Sequence, residues 1–272
     1  MNNPHLYNSA HGLQQKDVEQ VLSDYLDKMN WKPGSRIMDI GCGPGYITSK
    51  MLMPRLPQDF ETLLAVDLSH DMIQYAKNTY IHPKLNFMQL DIETENINND
   101  LCSPGFDKIF SFFCLHFVVD QRRAFNNISR LLRPGGEVLV LLVTTCSLFD
   151  VYSLQSKKSK WSQYLKDVQK YTSPFHTLSD AKEEFKRITK DANLSLLKCE
   201  LKPNRHNYPS FAILQDSLQA INPFISNVPD ELHDEFMKDV ISEAEKIEKE
   251  GKNNNGKYSF SYEILVAHLR KS

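Results

Sequence analysis

The sequence predicts an α/β fold with a doubly wound, mostly parallel sheet of seven strands, an antiparallel last strand and a helical lid. Three observations predict this fold. An apolar strand runs into a glycine-rich turn at 36–46, four strand–helix units follow one another, and the fifth strand, about Glu137 to Val143, is almost continuously apolar. Continuous apolar strands are typical of parallel sheets buried on both faces, and alternating strands and helices build doubly wound sheets.

The glycine-rich turn has the sequence DIGCGPGY at residues 39–46 and leads into a predicted helix that ends near Leu52. Its glycines are spaced G-x-G-x-G, whereas a dinucleotide-binding turn has G-x-G-x-x-G, and Tyr46 stands where that pattern needs its last glycine. Asp39 precedes the turn, where a carboxylate would repel a pyrophosphate but attract an ammonium group. The turn therefore predicts a nucleotide-type site; the alternative is an ordinary glycine-rich turn.

Two further acidic residues stand at the ends of the next two predicted strands. Asp67 ends the second strand and Asp91 follows the third. A carboxylate at Asp67 can accept two hydrogen bonds from a ribose hydroxyl pair. The alternatives are a partner for the dipole of the helix beginning near Ser69 and, for Asp91, a solvated loop acid. Ligands bind beyond the carboxyl ends of strands in such sheets, so we expect these acids, the turn and the loop at 111–117 to converge.

The pattern Asp-x-Gly-x-Gly-x-Gly, with the two later acids, resembles the class I S-adenosylmethionine-dependent methyltransferases, which have a Rossmann-like fold. The resemblance implies S-adenosyl-L-methionine as the cofactor, with the exocyclic amine of its adenine donating to Asp91. It implies cofactor-binding roles for Asp39, Gly41, Cys42, Gly43, Gly45, Asp67, Leu68, Met72, Asp91, Ile92 and Ser111.

Composition and charge restrict the partners of the chain. The 272 residues carry a formal net charge of −2, which gives no overall attraction to nucleic acid or to an anionic membrane. The five cysteines are scattered without a C-x-x-C pair, so neither a disulfide framework nor a metal site is predicted. The polar N-terminus lacks a signal-peptide pattern, and the longest apolar run, 138–143, is too short to span a bilayer. We therefore expect a cytoplasmic protein, with the choice between monomer and homodimer left open.

The whole chain, 1–272, is predicted to be a single methyltransferase domain. An N-terminal arm and helix occupy 1–33, and the cofactor-binding core occupies 34–144. After residue 144 the composition changes to polar residues with spaced aromatics, which predicts two lid or substrate-binding insertions at 145–176 and 203–250.

The boundaries of several elements follow from local patterns. Residues 1–15 are expected to be irregular, with Tyr7 and Gln14 as candidates of interest, before a helix from Lys16 to about Met29. A sixth strand is predicted at about Leu194 to Leu201. The last strand, about Tyr258 to Leu269, alternates apolar and polar residues as an antiparallel edge strand would.

Motifs in the arm and the lid resemble the insect juvenile hormone acid methyltransferases over nearly the full length. These segments are Leu13-Gln14, Ser111-Phe-x-Cys-Leu-His116, Phe149-Asp-Val-Tyr152, Ser173-Pro-Phe-His176 and Ile221-Asn-Pro-Phe224. The resemblance implies methylation of the carboxylate of farnesoic acid or of its epoxide, juvenile hormone acid, with Gln14 holding the carboxylate. In that family a Trp usually follows the His of the Leu-His motif. This chain has Phe117 there, which keeps an apolar face but lacks an N–H donor.

The expected substrate slot is lined by Gln14, His116, Phe117, Trp161, Tyr164, Phe175, Tyr208, Phe211 and Phe224. A carboxylic acid of pKa about 4–5 is already ionised at pH 7, so no general base is required. Gln14 and His116 are the expected catalytic residues, because neutral donors orient a carboxylate without over-stabilising it. The alternatives are a surface glutamine, a packed loop histidine and aromatic residues that belong to the core.

The predicted function is methyl transfer from S-adenosyl-L-methionine to the carboxylate of an isoprenoid acid. A methyltransferase for another small acid or a hydroxyl is the nearest alternative, and a hydroxyl acceptor would need a base. A diverged, non-catalytic terpenoid-binding paralogue is a second alternative, which Phe117 favours. A nucleic-acid methyltransferase is a third, against which the missing basic excess argues.

Overall fold

A computed structural model describes residues 12–250 and 259–272 of the chain. The beginning of the predicted N-terminal arm, with Tyr7, lies outside these residues.

The described residues form one seven-stranded sheet. Its strands are β1 (Arg36–Ile40), β2 (Thr62–Asp67), β3 (Leu85–Gln89), β4 (Phe106–Phe112), β5 (Leu132–Cys146), β6 (Leu194–Asn207) and β7 (Ser259–Lys271). The strand order is β3-β2-β1-β4-β5-β7-β6. The first five strands are parallel, and β7 is antiparallel to both of its neighbours. This topology confirms the predicted doubly wound fold with its antiparallel last strand.

Helices cover both faces of the sheet and build a lid above it. They are α1 (Gly12–Tyr25), α2 (His70–Thr79), α3 (Asn99–Cys102), α4 (Gln121–Leu131), α5 (Ser147–Gln155), α6 (Ala181–Asp191), α7 (Phe211–Ile221) and α8 (His233–Glu250). Helices α1 and α2 pack on one face, α4 and α6 pack on the other, and α5, α7 and α8 share a third apolar core. The lid therefore has its own hydrophobic core, which holds it together as a unit.

Three turns of other helical types stand close to the carboxyl edge of the sheet. A π-helical turn at Ile47–Leu52 follows the glycine-rich segment, where the sequence predicts a helix. Short 3-10 turns lie at Leu115–Phe117, after β4, and at Val168–Tyr171 in the lid.

Strand β5 extends beyond the predicted 137–143 at both ends, from Leu132 to Cys146, and two further predicted boundaries are wrong for identifiable reasons. The first helix begins at Gly12 instead of Lys16, because Leu13 already packs against the core, and this places Gln14 on a helix. Strand β6 continues through Pro203 to Asn207, whereas the predicted strand ends at Leu201. A proline is tolerated there because β6 is an edge strand. Residues 203–207, the beginning of the second predicted insertion, therefore belong to β6.

No helix within residues 12–250 and 259–272 is both long enough and apolar enough to cross a membrane.

Candidate active site

The turn after β1 is shaped by glycines that no other residue could replace without strain. Gly41 has φ of +80°, and a Cβ atom at this position would lie 2.2 Å from the Cβ and Sγ atoms of Cys114. The backbone N–H groups of Gly41 and Cys42 both donate to the carbonyl of Val66, at 2.7 and 3.0 Å. The turn is thus closely packed against β2 and the segment after β4, with its glycine backbone facing the carboxyl edge.

A large cavity of about 580 Å³ opens at this edge of the sheet. Its volume lies within the roughly 300–1000 Å³ of ordinary small-molecule sites. The cavity brings together seven of the predicted cofactor residues: Gly41, Gly43, Asp67, Leu68, Met72, Asp91 and Ile92. These residues come from the loops after three different strands, so their convergence results from the parallel topology.

Asp67 organises the mouth of the large cavity. One carboxylate oxygen accepts a hydrogen bond from the Gly43 N–H at 2.9 Å, and the other accepts from the Ser69 N–H at 2.8 Å. Burial raises the pKa of Asp67, and the two backbone donors oppose this rise. Each carboxylate oxygen can accept more than one hydrogen bond, so Asp67 keeps capacity for a hydroxyl pair.

Asp39 lies beneath the glycine-rich turn and is almost completely buried. The hydroxyl of Thr48 donates to its carboxylate at 2.5 Å. Burial is the main cause that raises the pKa of Asp39 to about 7. The hydrogen bond from Thr48 lowers this pKa, and the nearby charge of Asp67 raises it. A positively charged group beside Asp39 would favour its ionised form, which fits the ammonium end of the expected cofactor.

Four predicted cofactor residues do not line the large cavity: Asp39, Cys42, Gly45 and Ser111. The Ser111 hydroxyl is buried and donates to the carbonyl of Ile40 at 2.9 Å, joining β4 to β1. Gly45 has φ of +87° and packs closely under Phe87 and Ala76. Cys42 instead lines a small junction cavity of about 30 Å³ together with Asp39 and Gln14.

A second, apolar cavity of about 100 Å³ lies between the sheet and the lid. Its residues come from α1, the segment after β4, β5, α5, the residue after β6, α7 and β7. They are Leu13, Gln14, Phe113, His116, Phe117, Val143, Cys146, Leu148, Phe149, Tyr152, Tyr208, Ser217, Leu218, Ile221, Phe260 and Tyr262. Gln14, His116, Phe117 and Tyr208 are the predicted substrate residues among them. No lysine, arginine, aspartate or glutamate belongs to this lining among the described residues.

His116 is held as a neutral side chain in the wall of the apolar cavity. Its burial lowers its pKa to about 3. The backbone N–H of Val143 points at its Nδ1 atom from 3.4 Å. An N–H group facing Nδ1 requires that nitrogen to be the acceptor, so the ring proton resides on Nε2. His116 can therefore offer one neutral N–H donor.

Gln14 is shared by two of the cavities. It lines both the junction cavity, beside Asp39, and the apolar cavity, beside His116. Its buried Oε1 atom has no hydrogen-bond partner. An unpaired buried polar atom is costly unless a ligand or water satisfies it. A half-turn of the carboxamide would place its NH₂ group there as a donor.

Five predicted substrate residues are not part of the lining of the apolar cavity: Trp161, Tyr164, Phe175, Phe211 and Phe224. Trp161 and Phe224 are fully buried in the core of the lid, where the Trp161 indole donates to Asp239 at 2.7 Å. Tyr164 packs against the same core. Phe175 is buried against the sheet and Phe211 is exposed on α7. Aromatic residues stabilise cores as readily as they bind ligands, and spacing alone does not separate these roles.

Several lining residues were not predicted from the sequence. Phe113 lines all three cavities and has φ of +52°, an unusual backbone conformation for a non-glycine residue. Tyr171, Lys170 and Pro223 bring the lid to the large cavity. Tyr152, within the resembling Phe149–Tyr152 motif, lines the apolar cavity. The motif was the signal that could have identified Tyr152; for Phe113 the sequence offers none.

A metal site is not formed by the described side chains: no group of three or more His, Cys, Asp or Glu residues is arranged to hold an ion.

Comparison with known proteins gives consistent matches. The model of a methyltransferase-domain family matches residues 38–140. Juvenile hormone acid O-methyltransferase of Bombyx mori is 33% identical over 277 residues, covering 100% of this chain and 98% of that protein. The Drosophila melanogaster protein of the same name is 31% identical over 278 residues, covering 100% and 93%.

Solved structures share the fold at lower identity. A putative sarcosine dimethylglycine methyltransferase from Galdieria sulphuraria has a TM-score of 0.57 at 11% identity, covering 95% of this chain and 86% of that one. Phosphoethanolamine N-methyltransferase 2 of Haemonchus contortus, in complex with phosphomonomethylethanolamine and S-adenosylhomocysteine, has a TM-score of 0.55 at 19% identity, covering 99% and 57%.

Proposed function

Because the chain belongs to the juvenile hormone acid O-methyltransferase family, we propose that it methylates the carboxylate of an isoprenoid acid such as farnesoic acid or juvenile hormone acid. The observation that carries this proposal is the apolar cavity, whose wall combines aromatic and aliphatic side chains with the neutral polar residues Gln14 and His116. An apolar chain with a single polar end matches such a lining.

The chain is a methyltransferase that uses S-adenosyl-L-methionine. When bound, this cofactor supplies a methyl group on a positively charged sulfur atom. The acidic residues of the large cavity and of the adjoining junction cavity fit it: Asp39, in the junction cavity, would hold the ammonium group, Asp67 the ribose hydroxyls and Asp91 the adenine amine. Leu68, Met72 and Ile92 add apolar surface for the base.

Gln14 and His116 orient the substrate in this proposal. Gln14 lines both the junction cavity with Asp39 and the apolar cavity, which supports its role of holding a carboxylate between cofactor and substrate chain. His116 adds the Nε2 proton that its Val143 contact leaves available. Two neutral donors align a carboxylate without the strong ground-state pairing that an arginine would impose.

The lining of the apolar cavity favours an acid over a hydroxyl acceptor. A hydroxyl must lose its proton during methyl transfer and needs a base with a suitable pKa. The described lining has no carboxylate or lysine, and burial keeps the pKa of His116 far below neutral pH at about 3, so it is a weak base. A carboxylate arrives already deprotonated and avoids this requirement.

The test is ester formation by the purified protein from methyl-labelled S-adenosyl-L-methionine and farnesoic acid. We expect labelled methyl ester from the wild-type chain and a loss of about tenfold or more in kcat/KM for Gln14→Ala, because a donor to a charged group is removed. Gln20→Ala is the matched control: Gln20 lies on the solvent side of the same helix, hydrogen-bonded to Asp24. This control should retain full activity.

Other outcomes separate the alternatives. Cofactor binding without ester from any acid would contradict the proposal and favour a non-catalytic terpenoid-binding protein. Methylation of an alcohol or phenol, with a rate that follows the pKa of a base, would identify a hydroxyl acceptor.

A further inference from the structure

The apolar cavity contains a second unsatisfied polar atom besides that of Gln14. Among the described lining residues, the buried side-chain atoms without a hydrogen-bond partner are Oε1 of Gln14 and the hydroxyl of Tyr152. Tyr152 is 2% exposed. A buried hydroxyl without a partner is unfavourable, and in the wall of a cavity it offers a hydrogen-bonding position for a polar group of a ligand.

The two unpaired atoms belong to different elements of the cavity wall, Gln14 to α1 and Tyr152 to α5. The ring of His116, the second proposed carboxylate donor, lies 6.5 Å from that of Phe149 on α5. Tyr152 follows Phe149 by three residues, which is nearly one helical turn or about 4.5 Å of rise along α5. The wall therefore leads from the carboxylate-holding residues past Phe149 to Tyr152.

The Tyr152 ring is held in place by its packing. It meets the Phe224 ring edge to face at 5.2 Å, and Phe224 contacts Tyr171 in the same way at 4.9 Å. Phe224 is itself fully buried. A side chain fixed in this way presents its hydroxyl with little further loss of conformational entropy, which favours a directional hydrogen bond.

Tyr262 is another tyrosine of the cavity wall, but its hydroxyl proton is not available to a ligand. Its hydroxyl already donates to Asp17 at 2.7 Å. Among these two tyrosines, only Tyr152 has an uncommitted hydroxyl.

We propose that the hydroxyl of Tyr152 donates a hydrogen bond to an oxygen atom, of epoxide, ether or hydroxyl type, in the part of the substrate chain distant from its carboxylate. The proposal rests on the proposed function for the identity of the carboxylate end. It makes Tyr152 the residue by which this chain favours an oxygenated isoprenoid acid over the corresponding plain acid.

The experiment compares two acids and three proteins. Farnesoic acid and its terminal epoxide are tested on the wild-type chain, Tyr152→Phe and Tyr262→Phe, each saturated with S-adenosyl-L-methionine. We expect Tyr152→Phe to reduce the epoxide-to-plain ratio of kcat/KM by about 3- to 10-fold, the effect of one neutral hydrogen bond. Tyr262→Phe makes the same chemical change in the same cavity, but it should leave this ratio unchanged because its hydroxyl binds Asp17.

A second measurement is independent of turnover. In the ligand-free protein the hydroxyl is unpaired, so Tyr152→Phe should raise the unfolding temperature by about 2–4 °C. With S-adenosylhomocysteine present, the epoxide acid should raise the unfolding temperature of the wild-type chain more than the plain acid does. The two acids should raise the unfolding temperature of Tyr152→Phe equally.

The outcomes distinguish the two proposals. Absence of ester from both acids contradicts the proposed function, and the ligand-induced unfolding temperatures then still decide the role of Tyr152. An unchanged ratio in Tyr152→Phe, or equal stabilisation by both acids in the wild-type chain, overturns the role of Tyr152 and indicates that its hydroxyl binds only water.

Discussion

The hydroxyl of Tyr262 donates a hydrogen bond of 2.7 Å to the carboxylate of Asp17, joining the last strand to the first helix. The other carboxylate oxygen accepts from the Asn204 side chain at 3.2 Å. Asn204 and Tyr262 lie directly opposite each other in the β6–β7 ladder. One buried acid therefore docks α1 on two adjacent strands, and Gln14 lies one turn away on the same helix.

Asp17→Ala should lower the free energy of unfolding by about 2–3 kcal/mol, because two hydrogen bonds are lost and the Tyr262 hydroxyl stays buried. Urea denaturation measures the change. The control is Glu19→Ala, which breaks the exposed ion pair between the same helix and Arg55 and should cost less than about 1 kcal/mol. Equal losses in both variants would contradict the docking role of Asp17.

The buried carboxyl of Asp39 should make the cofactor-free protein less stable as the pH rises. Burial raises the pKa of Asp39 to about 7, whereas the unfolded chain has a value of about 3.9. Between these values the folded state holds a proton that the unfolded state has lost. The contribution of Asp39 to the free energy of unfolding is therefore fully present below about pH 4 and is lost progressively between about pH 4 and pH 7.

Asp39→Asn should remove this dependence. Relative to the wild-type chain, the free energy of unfolding of the variant should rise by up to about 4 kcal/mol between pH 4 and pH 7. The variant should also bind S-adenosylhomocysteine more weakly. Urea denaturation across this pH range measures the difference. A constant difference between the two proteins would show that Asp39 is not the titrating group.

His116 should not appear in the pH dependence of turnover. Burial lowers the pKa of His116 to about 3, so the side chain stays neutral from pH 5 to pH 9. At saturating cofactor and acid, we expect kcat to show no step near pH 6.5, the ordinary histidine value. A step near pH 6.5 that disappears in His116→Gln would contradict the neutral donor role.

Phe117 is the position at which the family resemblance leads us to expect a Trp. Its ring lies 4.1 Å from that of His116 and faces both the large and the apolar cavity. Phe117→Trp adds an N–H donor beside the proposed carboxylate position and should raise kcat/KM for the acid by about 3- to 10-fold. Phe117→Leu controls for ring packing and should lower it. No gain in the Trp variant would mean that the N–H group reaches no substrate atom.

Cofactor product should protect the lid from proteolysis. Lys170 and Tyr171 of the lid line the large cavity, so a bound molecule would contact the segment 145–176. The apolar cavity of about 100 Å³ is also smaller than typical ligand sites of roughly 300–1000 Å³, so the lid or its side chains must move to admit a long chain. We expect slower tryptic cleavage in this segment with S-adenosylhomocysteine, measured by mass spectrometry. Unchanged cleavage would contradict the contact.

Local sequence was sufficient for the elements around the cofactor site. The glycine-rich turn, Asp67 and Asp91 are each recognised from a strand ending and a characteristic residue, and parallel topology then places them together. The family and its methyl donor were also predicted, since those motifs are contiguous. The end of β6 was missed because the effect of Pro203 depends on whether its strand lies at the sheet edge.

The sequence by itself determined the doubly wound sheet, the cofactor motifs and the family, because apolar periodicity and short motifs are local properties. Only the tertiary structure decided which residues of the lid surround the apolar cavity. Trp161 and Tyr152 are both buried aromatic residues of the lid core. The hydroxyl of Tyr152, in the wall of the apolar cavity, has no hydrogen-bond partner, whereas the indole of Trp161 donates to Asp239. That difference depends on contacts between segments distant along the chain, which residue type and spacing do not specify.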